Sequence, residues 1–289
     1  MANKVLVTGG SGFLGRNLVQ ELSEGDDEVW YTYRTKRLRG AKATPILLDL
    51  NEVQQYDACA GELQQITHLV HAAAVVRHDQ GNILEDLHDQ ITCSVEGFSN
   101  LLQYLPNLQK VVYISSGSAA LCDADPTFYG LGKLLMEGVV SRTADAQHIP
   151  YVSLRFPQLF GPGEPHGIFV TRFFQALQEG QKIKLVNDGV VSKDVLYIQD
   201  AVGSILQALS GKSTGLYTIT MDQSYTVKEV IDELAVALGV MPRIEHVTVD
   251  ASEIKNKSFH LESSTAALGY ELRYNLHQGI KAMVEDMKK

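Results

Sequence analysis

Three glycines at every third position, Gly9, Gly12 and Gly15, separate a short apolar run, Val5–Val7, from an amphipathic stretch with Phe13, Leu14, Leu18 and Leu22 on one face. This order reads as a buried strand, a tight turn and a helix. A glycine at each of these sites lets the backbone turn sharply, approach a pyrophosphate closely and pack the helix on the strand. The phosphates then meet the N–H groups at the helix N-terminus. A glycine trio in an ordinary loop lacks the flanking strand and helix, so this context argues for dinucleotide binding.

The alternation continues. EVWYTY (28–33), PILLDL (45–50), THLVHAAAVV (67–76) and KVVYISS (110–116) read as further strands, separated by helices of ten to twenty residues. The pattern predicts an α/β chain of Rossmann type, a doubly wound parallel sheet with helices on both faces. An acidic residue after the second strand would accept from an adenosine ribose 2′-OH; this chain offers Arg34, Lys36, Arg37 and Arg39. Two readings are open: a site for the 2′-phosphate of NADP, or a solvated run of loop charges. NADP is the favoured cofactor and NAD the alternative. Asp49 ends the third strand where it could reach an adenine edge, with Leu50 beside it. Ala72, Ala73 and Ala74 follow the fourth strand and leave room for backbone to run close to a cofactor.

PTFYGLGKLLME (126–137) places Tyr129 and Lys133 four apart at the start of a predicted helix. Both side chains project from one face, where an ammonium can lower the pKa of a neighbouring phenol and equip the pair for proton exchange with a substrate. With twelve tyrosines in the chain, a chance spacing on a solvated helix is the competing reading.

TGGSGFLG, ISSGS (114–118) and YGLGK (129–133) together resemble the extended short-chain dehydrogenase/reductases, and among them the NAD-dependent epimerase/dehydratase branch that acts on nucleotide sugars. LRFPQLFGPG (154–163), NDGVVSKDVLYIQDAV (187–202) and ALGYELRYNLHQGI (267–280) are similar to later segments of that branch. The resemblance implies a hydride-transfer site with Tyr129 as general acid/base. Lys133 would hold the nicotinamide ribose and depress the tyrosine pKa. A serine of ISSGS would bind the same substrate oxygen: Ser116 is assigned, with Ser115 and Ser118 as alternatives, while the family's usual Ser or Thr position falls on Gly117. Gly9, Gly12, Phe13, Leu14, Gly15, Arg34, Arg37, Asp49, Leu50, the three alanines and Phe156 would join Tyr129 and Lys133 around the cofactor. Ser118, Gln158, Arg172 and Lys193 would contact substrate, Lys193 where an arginine commonly meets the diphosphate, and Lys184 is a further diphosphate candidate.

Departures from the pattern narrow the chemistry. The loop between Ser116 and Tyr129 is short for a nucleotide-sugar member, which opens the site or leaves its shaping to the C-terminal region. Dehydratases carry an Asp-Glu pair where this chain has Gly117-Ser118-Ala119, so dehydration is disfavoured; Asp123 and Asp125 read as a solvated turn. Ser94 stands where the family often keeps an asparagine. The leading expectation is an NADPH-dependent reductase of a nucleotide-linked keto-sugar. The alternatives are an epimerase with tightly held cofactor, a reductase of a non-sugar carbonyl, and a cofactor sensor without catalysis.

Residues 1–158 and 190–212 are expected to form the dinucleotide-binding domain. Residues 159–189, which include Pro162 and Pro165, and 213–289 form a smaller α/β substrate domain. The helix TVKEVIDELAVALG contributes a core stripe of Val227, Val230, Ile231, Leu234 and Leu238. A composition of 45% hydrophobic and 20% charged residues is that of a globular chain. The net charge of −9 gives no support for nucleic acid or an anionic membrane as partner. Cys59, Cys93 and Cys122 are odd in number and far apart, against a disulfide framework or zinc site and for a reducing compartment. The nine histidines lack ligand spacing, so no metal is expected, and His71 is read as a packing residue. No run of eighteen apolar residues occurs, and the chain is expected to be soluble and cytoplasmic. NILEDLHDQITCSVEGFSNLLQYL (82–105) and the helix after Tyr129 resemble the pair that forms a four-helix bundle in family homodimers.

Overall fold

The computed structural model describes residues 2–74, 88, 90–124, 126–164, 168–250 and 260–288. Its centre is a seven-stranded sheet built from β1 (Lys4–Thr8), β2 (Glu28–Tyr33), β3 (Thr44–Leu47), β4 (His68–His71), β5 (Lys110–Ser116), β6 (Tyr151–Phe156) and an edge strand Gly215–Thr218. From the edge strand the order is β6, β5, β4, β1, β2, β3, and every pairing is parallel. The chain winds outward from β1 in one direction and from β4 in the other. The switch point between them opens a crevice at the carboxyl ends of the strands, where ligands of such sheets bind.

Strand alternation sends neighbouring side chains to opposite layers. Val5 and Val7 pack with Leu18 and Val19 of the Phe13–Leu22 helix and with Ile205 of the Ile198–Ser210 helix. Leu6 faces the other way, toward Phe98 and Leu101 of the Gly97–Gln103 helix and Met136 and Val140 of the Phe128–Gln147 helix. The sheet is therefore covered on both faces, which its nearly all-buried strands require. Ser94 lies in a π-helical run, Ile91–Glu96, that leads into the Gly97–Gln103 helix. Residues 82–87 and 89 of the proposed bundle helix lie outside the described residues, as do Asp125 and Pro165.

A smaller unit assembles around Phe160, Phe174, Leu185, Ile231 and Ile280. It consists of the helices Phe169–Gln178, Val227–Leu238 and Leu276–Met287 with three two-stranded pairs. Val230, Ile231 and Leu234 of the expected stripe are buried, with Val227 and Leu238 at the margin of the cluster. A capping box between Thr226 and Glu229 starts this helix, and left-handed Gly239 stops it. Gly215–Thr218, which the sequence places in the second unit, is instead the edge strand of the main sheet beside β6. The C-terminal segment is tied back by Asp200, a fully buried carboxylate that accepts from the Tyr270 hydroxyl at 3.0 Å and the backbone N–H groups of Arg273 and Tyr274 at 2.8 and 3.0 Å. Among the described residues, no helix is long and apolar enough to cross a membrane.

Candidate active site

The glycine turn leaves β1 at the switch point. Gly9 has φ +66°, and a Cβ there would lie 2.9 Å from the Ala73 Cα. A Cβ on Gly15 would collide with the Gly9 carbonyl oxygen. Both positions are thus closed to any side chain. The Phe13–Leu22 helix starts from Gly12 with no side-chain cap, so its N-terminal N–H groups suit an anion. Thr8 fixes the facing wall: its hydroxyl accepts from the N–H groups of Ala72 and Ala73, each at 3.1 Å, and lies 3.0 Å from His71 Nδ1. With two bonds accepted, that hydroxyl donates its proton to Nδ1, which fits a neutral imidazole. Burial, and then the charge of Lys133, push the His71 pKa down to about 3. Its ring packs 5.0 Å from Phe98 and 6.0 Å from Tyr113.

From this turn a cavity of about 240 Å³ runs along the strand ends, lined by Gly9, Gly12, Arg34, Asp49, Leu50, Ala72, Ala73 and Ala74 among the residues named from sequence. A cradle closed to Cβ atoms, an uncapped helix N-terminus and this cavity fit a dinucleotide. The two arginines behave differently. Arg34 stands at the cavity, 3.8 Å from the Asp49 carboxylate, whereas Arg37 folds onto the strand end, donating from Nε to the Tyr33 hydroxyl at 2.7 Å. Phe13 and Leu14 lie against the smaller core. Sequence reasoning missed Ser11, Thr32, Thr35, Asn51 and Cys93 on the cavity wall. Thr32 pins the turn by accepting from the Gly9 N–H at 3.0 Å, and Asn51 Nδ2 lies 3.0 Å from Cys93 Sγ. The signal for Thr32 was its place on the strand that follows the glycine motif, but strand position alone does not say which face it takes.

Ser116, Tyr129 and Lys133 converge at the carboxyl end of β5. The Ser116 hydroxyl accepts from the Ser118 N–H at 3.2 Å, starting the short helix Gly117–Ala120, and lies near enough to the Tyr129 phenol to favour its ionised form. Ser115 donates to Glu137 Oε1 at 2.5 Å, two turns farther along the helix that carries Tyr129. Ser118 is half-buried, and Phe156 is buried beside Ser116 in β6. Thr127 caps the Phe128–Gln147 helix, whose second residue is Tyr129 and whose next turn carries Lys133. The buried Lys133 donates to the Ile114 carbonyl at 2.7 Å, and its Nζ lies 5.8 Å from the Tyr129 ring centroid. Burial pulls Lys133 down to about 8, against the opposing pull of Glu137.

One expectation is corrected. Sequence reasoning has the lysine depress the tyrosine pKa, but burial pushes Tyr129 up, with the nearby Ser116 hydroxyl acting in the other direction. Desolvation of the phenol is the largest cause, and the Lys133 ammonium is directed to the Ile114 carbonyl.

The substrate candidates are dispersed. Gln158, Arg172 and Lys184 are exposed, the guanidinium of Arg172 resting 5.0 Å from the Phe173 ring centre. Lys193 is half-buried, next to Asp194, whose buried carboxylate accepts from the Leu261 N–H at 2.6 Å. Leu261 in turn packs on Gly117.

Known proteins match nearly the whole chain. The UDP-N-acetyl-alpha-D-glucosaminuronate decarboxylase of Bacillus cytotoxicus is 22% identical, with 99% of this chain and 98% of that protein covered. The dTDP-4-dehydro-6-deoxyglucose reductase of Escherichia coli is 21% identical with the same coverage. The crystal structure of the UDP-glucose 4-epimerase of Thermus thermophilus, a complex with NAD, has the same fold, with a TM-score of 0.82 at 24% identity over 99% of both chains. A sequence model of the NAD dependent epimerase/dehydratase family matches residues 5–219, three-quarters of the chain, and the protein belongs to that family of enzymes.

Proposed function

We propose that this protein is an NADP-dependent oxidoreductase that reduces a keto group, most simply that of a nucleotide-linked sugar. The observation that carries the reading is the convergence of Ser116, Tyr129 and Lys133 at the carboxyl end of β5, the lysine one helical turn from the tyrosine and the dinucleotide cavity alongside. NADPH supplies the hydride when bound. Tyr129 gives its phenolic proton to the substrate carbonyl oxygen while the Ser116 hydroxyl holds that oxygen. Burial raises the Tyr129 pKa and so keeps the phenol protonated, ready to act as the acid in the direction of reduction. Lys133, released from the Ile114 carbonyl, holds the nicotinamide ribose and steadies the phenolate that forms.

The cofactor choice rests on Arg34, which stands at the cavity immediately after β2 ends in Tyr33, the place where an NAD site carries its acidic residue; Asp49, 3.8 Å from Arg34, comes just after the next strand. A nucleotide sugar is supported by the family, by the similarity to a dTDP-sugar reductase, and by Lys193 near the segment that covers Gly117. The smaller unit is the substrate-binding part. Absence of carboxylates at Gly117, Ser118 and Ala119 disfavours dehydration. We assign a homodimer through the outer face of the Phe128–Gln147 helix, where Leu131, Leu134 and Leu135 are 45%, 40% and 51% exposed. Free thiols at Cys59, Cys93 and Cys122 suit the reducing cytoplasm.

The test is to identify by mass spectrometry any nucleotide that co-purifies, then to titrate the protein with NADPH and NADH. Reversible binding with preference for NADPH supports the reductase. Tightly retained NAD, with no net oxidation against keto-sugar nucleotides, contradicts it in favour of an epimerase.

A further inference from the structure

We infer that Glu137 is the third group of a Tyr129–Lys133–Glu137 stack, a positioning residue that steadies the charge of Lys133 through space and the end of β5 through Ser115. The inference rests on the function proposed for Lys133. The three residues are spaced four apart on one helix, so they share a face. Glu137 is buried and held from two other elements. Arg155 of β6 meets it with both arms of its guanidinium, Nε to Oε1 at 2.8 Å and the terminal nitrogen to Oε2 at 2.7 Å. Ser115 of β5 adds a third bond at 2.5 Å. Ser115 is the immediate neighbour of Ser116, which lies by Tyr129. One carboxylate thus touches the strand that presents the serine and flanks the lysine beneath the tyrosine.

Stability alone is a weak reason for such a group. Two charges taken out of water rarely outperform apolar side chains of the same volume. Arg155 and Ser115 fill three acceptor positions of Glu137 and fix its orientation, one helical turn beyond Lys133 on the same face. Lys133 needs a counter-charge. It is fully enclosed among the Tyr113 ring, 5.0 Å from its Nζ, the Tyr129 ring, the Ile114 carbonyl and His71. His71 remains neutral down to about pH 3 and does not titrate with the lysine. Burial pushes the thiol of Cys122 and the phenol of Tyr113, the other groups that sense Glu137, up and away from neutrality. Glu137 is then the group among these that favours the ammonium.

The experiment labels lysine Cε with carbon-13 and follows the pH titration by NMR, assigning Lys133 by the loss of its signal in Lys133→Arg. The wild-type midpoint is expected near 8. In Glu137→Gln it falls by about one pH unit or more, the effect of losing an adjacent opposite charge. Should Glu137→Gln fail to fold with Arg155 left unpaired, the double variant Glu137→Gln, Arg155→Gln removes that unpaired guanidinium and is expected to move the midpoint in the same direction. The pH at which NADPH affinity declines on the alkaline side moves down with it. An unmoved midpoint in a folded variant overturns the inference, and so does a moved midpoint with an unaltered pH dependence of NADPH binding. Wild-type protein that binds no NADPH at any pH refutes the proposed function instead; the titration needs no ligand, so the two failures are distinct.

Discussion

Leu261 occupies the space beside Gly117: a Cβ on Gly117 would lie 2.6 Å from Leu261 Cδ1 and 3.4 Å from the Phe156 carbonyl oxygen. The position where the family usually carries a hydroxyl is sealed by a leucine whose N–H is anchored to Asp194. Under the proposed function the task falls to Ser116. Gly117→Ser is expected to lower stability by roughly 1–2 kcal/mol through overpacking, with most of the loss recovered when Leu261→Ala is added. Urea denaturation of the two single variants and the double variant reads the coupling.

Gly15→Ala tests the turn. Its methyl would meet the Gly9 carbonyl oxygen and, at 2.7 Å, the Gly10 Cα, both backbone atoms with nowhere to move. Loss of dinucleotide binding and roughly 2–3 kcal/mol of stability is expected. Gly138→Ala is the control: no atom lies within 4 Å of its added methyl, and a helix interior gains up to about 1 kcal/mol from the exchange. Calorimetric melting of both variants checks the contrast.

His71 predicts a pH dependence. Below pH 6.5 the imidazole of an unfolded chain takes up a proton that buried His71 refuses until about pH 3, so unfolding gains as pH falls through that window. The effect is about 2 kcal/mol at pH 5 relative to neutrality. His71→Gln, which stays uncharged in both states, is expected to flatten the decline in stability between pH 7 and 5, measured by denaturant midpoints.

Asp200 predicts a purely structural loss. Asp200→Asn exchanges one acceptor oxygen for a donor facing groups that themselves donate, the Tyr270 hydroxyl and the Arg273 and Tyr274 N–H groups. A cost of about 3 kcal/mol is expected. The C-terminal segment should become protected less well in hydrogen exchange, while NADPH affinity is retained.

Local sequence carried much of this architecture. β2 spans Glu28–Tyr33, as its apolar run indicates, and the glycine turn stands where the trio places it because Gly9 and Gly15 leave no alternative side chain. Tyr129 and Lys133 share a face because helical spacing requires it. Relationships across long stretches of chain were not legible. Nothing local in Gly215–Thr218 says that it returns to the sheet edge, or in Leu261 that it seals Gly117. The partners of Ser115 were hidden for the same reason: strand alternation says that Ser115 and Ser116 part company, but not that Glu137 and Arg155 wait on one side. The sign of the Tyr129 shift failed because spacing reports proximity to a charge and is silent on burial.

In the proposed reaction Tyr129 delivers a proton to a carbonyl of a nucleotide-linked keto-sugar as NADPH is consumed. The measurement is NADPH oxidation, followed by absorbance, with a dTDP- or UDP-linked 4-keto-sugar, for wild type and Tyr129→Phe. Wild type is expected to consume NADPH, with a fall of roughly 100-fold or more in Tyr129→Phe, the scale of a lost general acid, and NADPH affinity preserved. Consumption undiminished in Tyr129→Phe would contradict it.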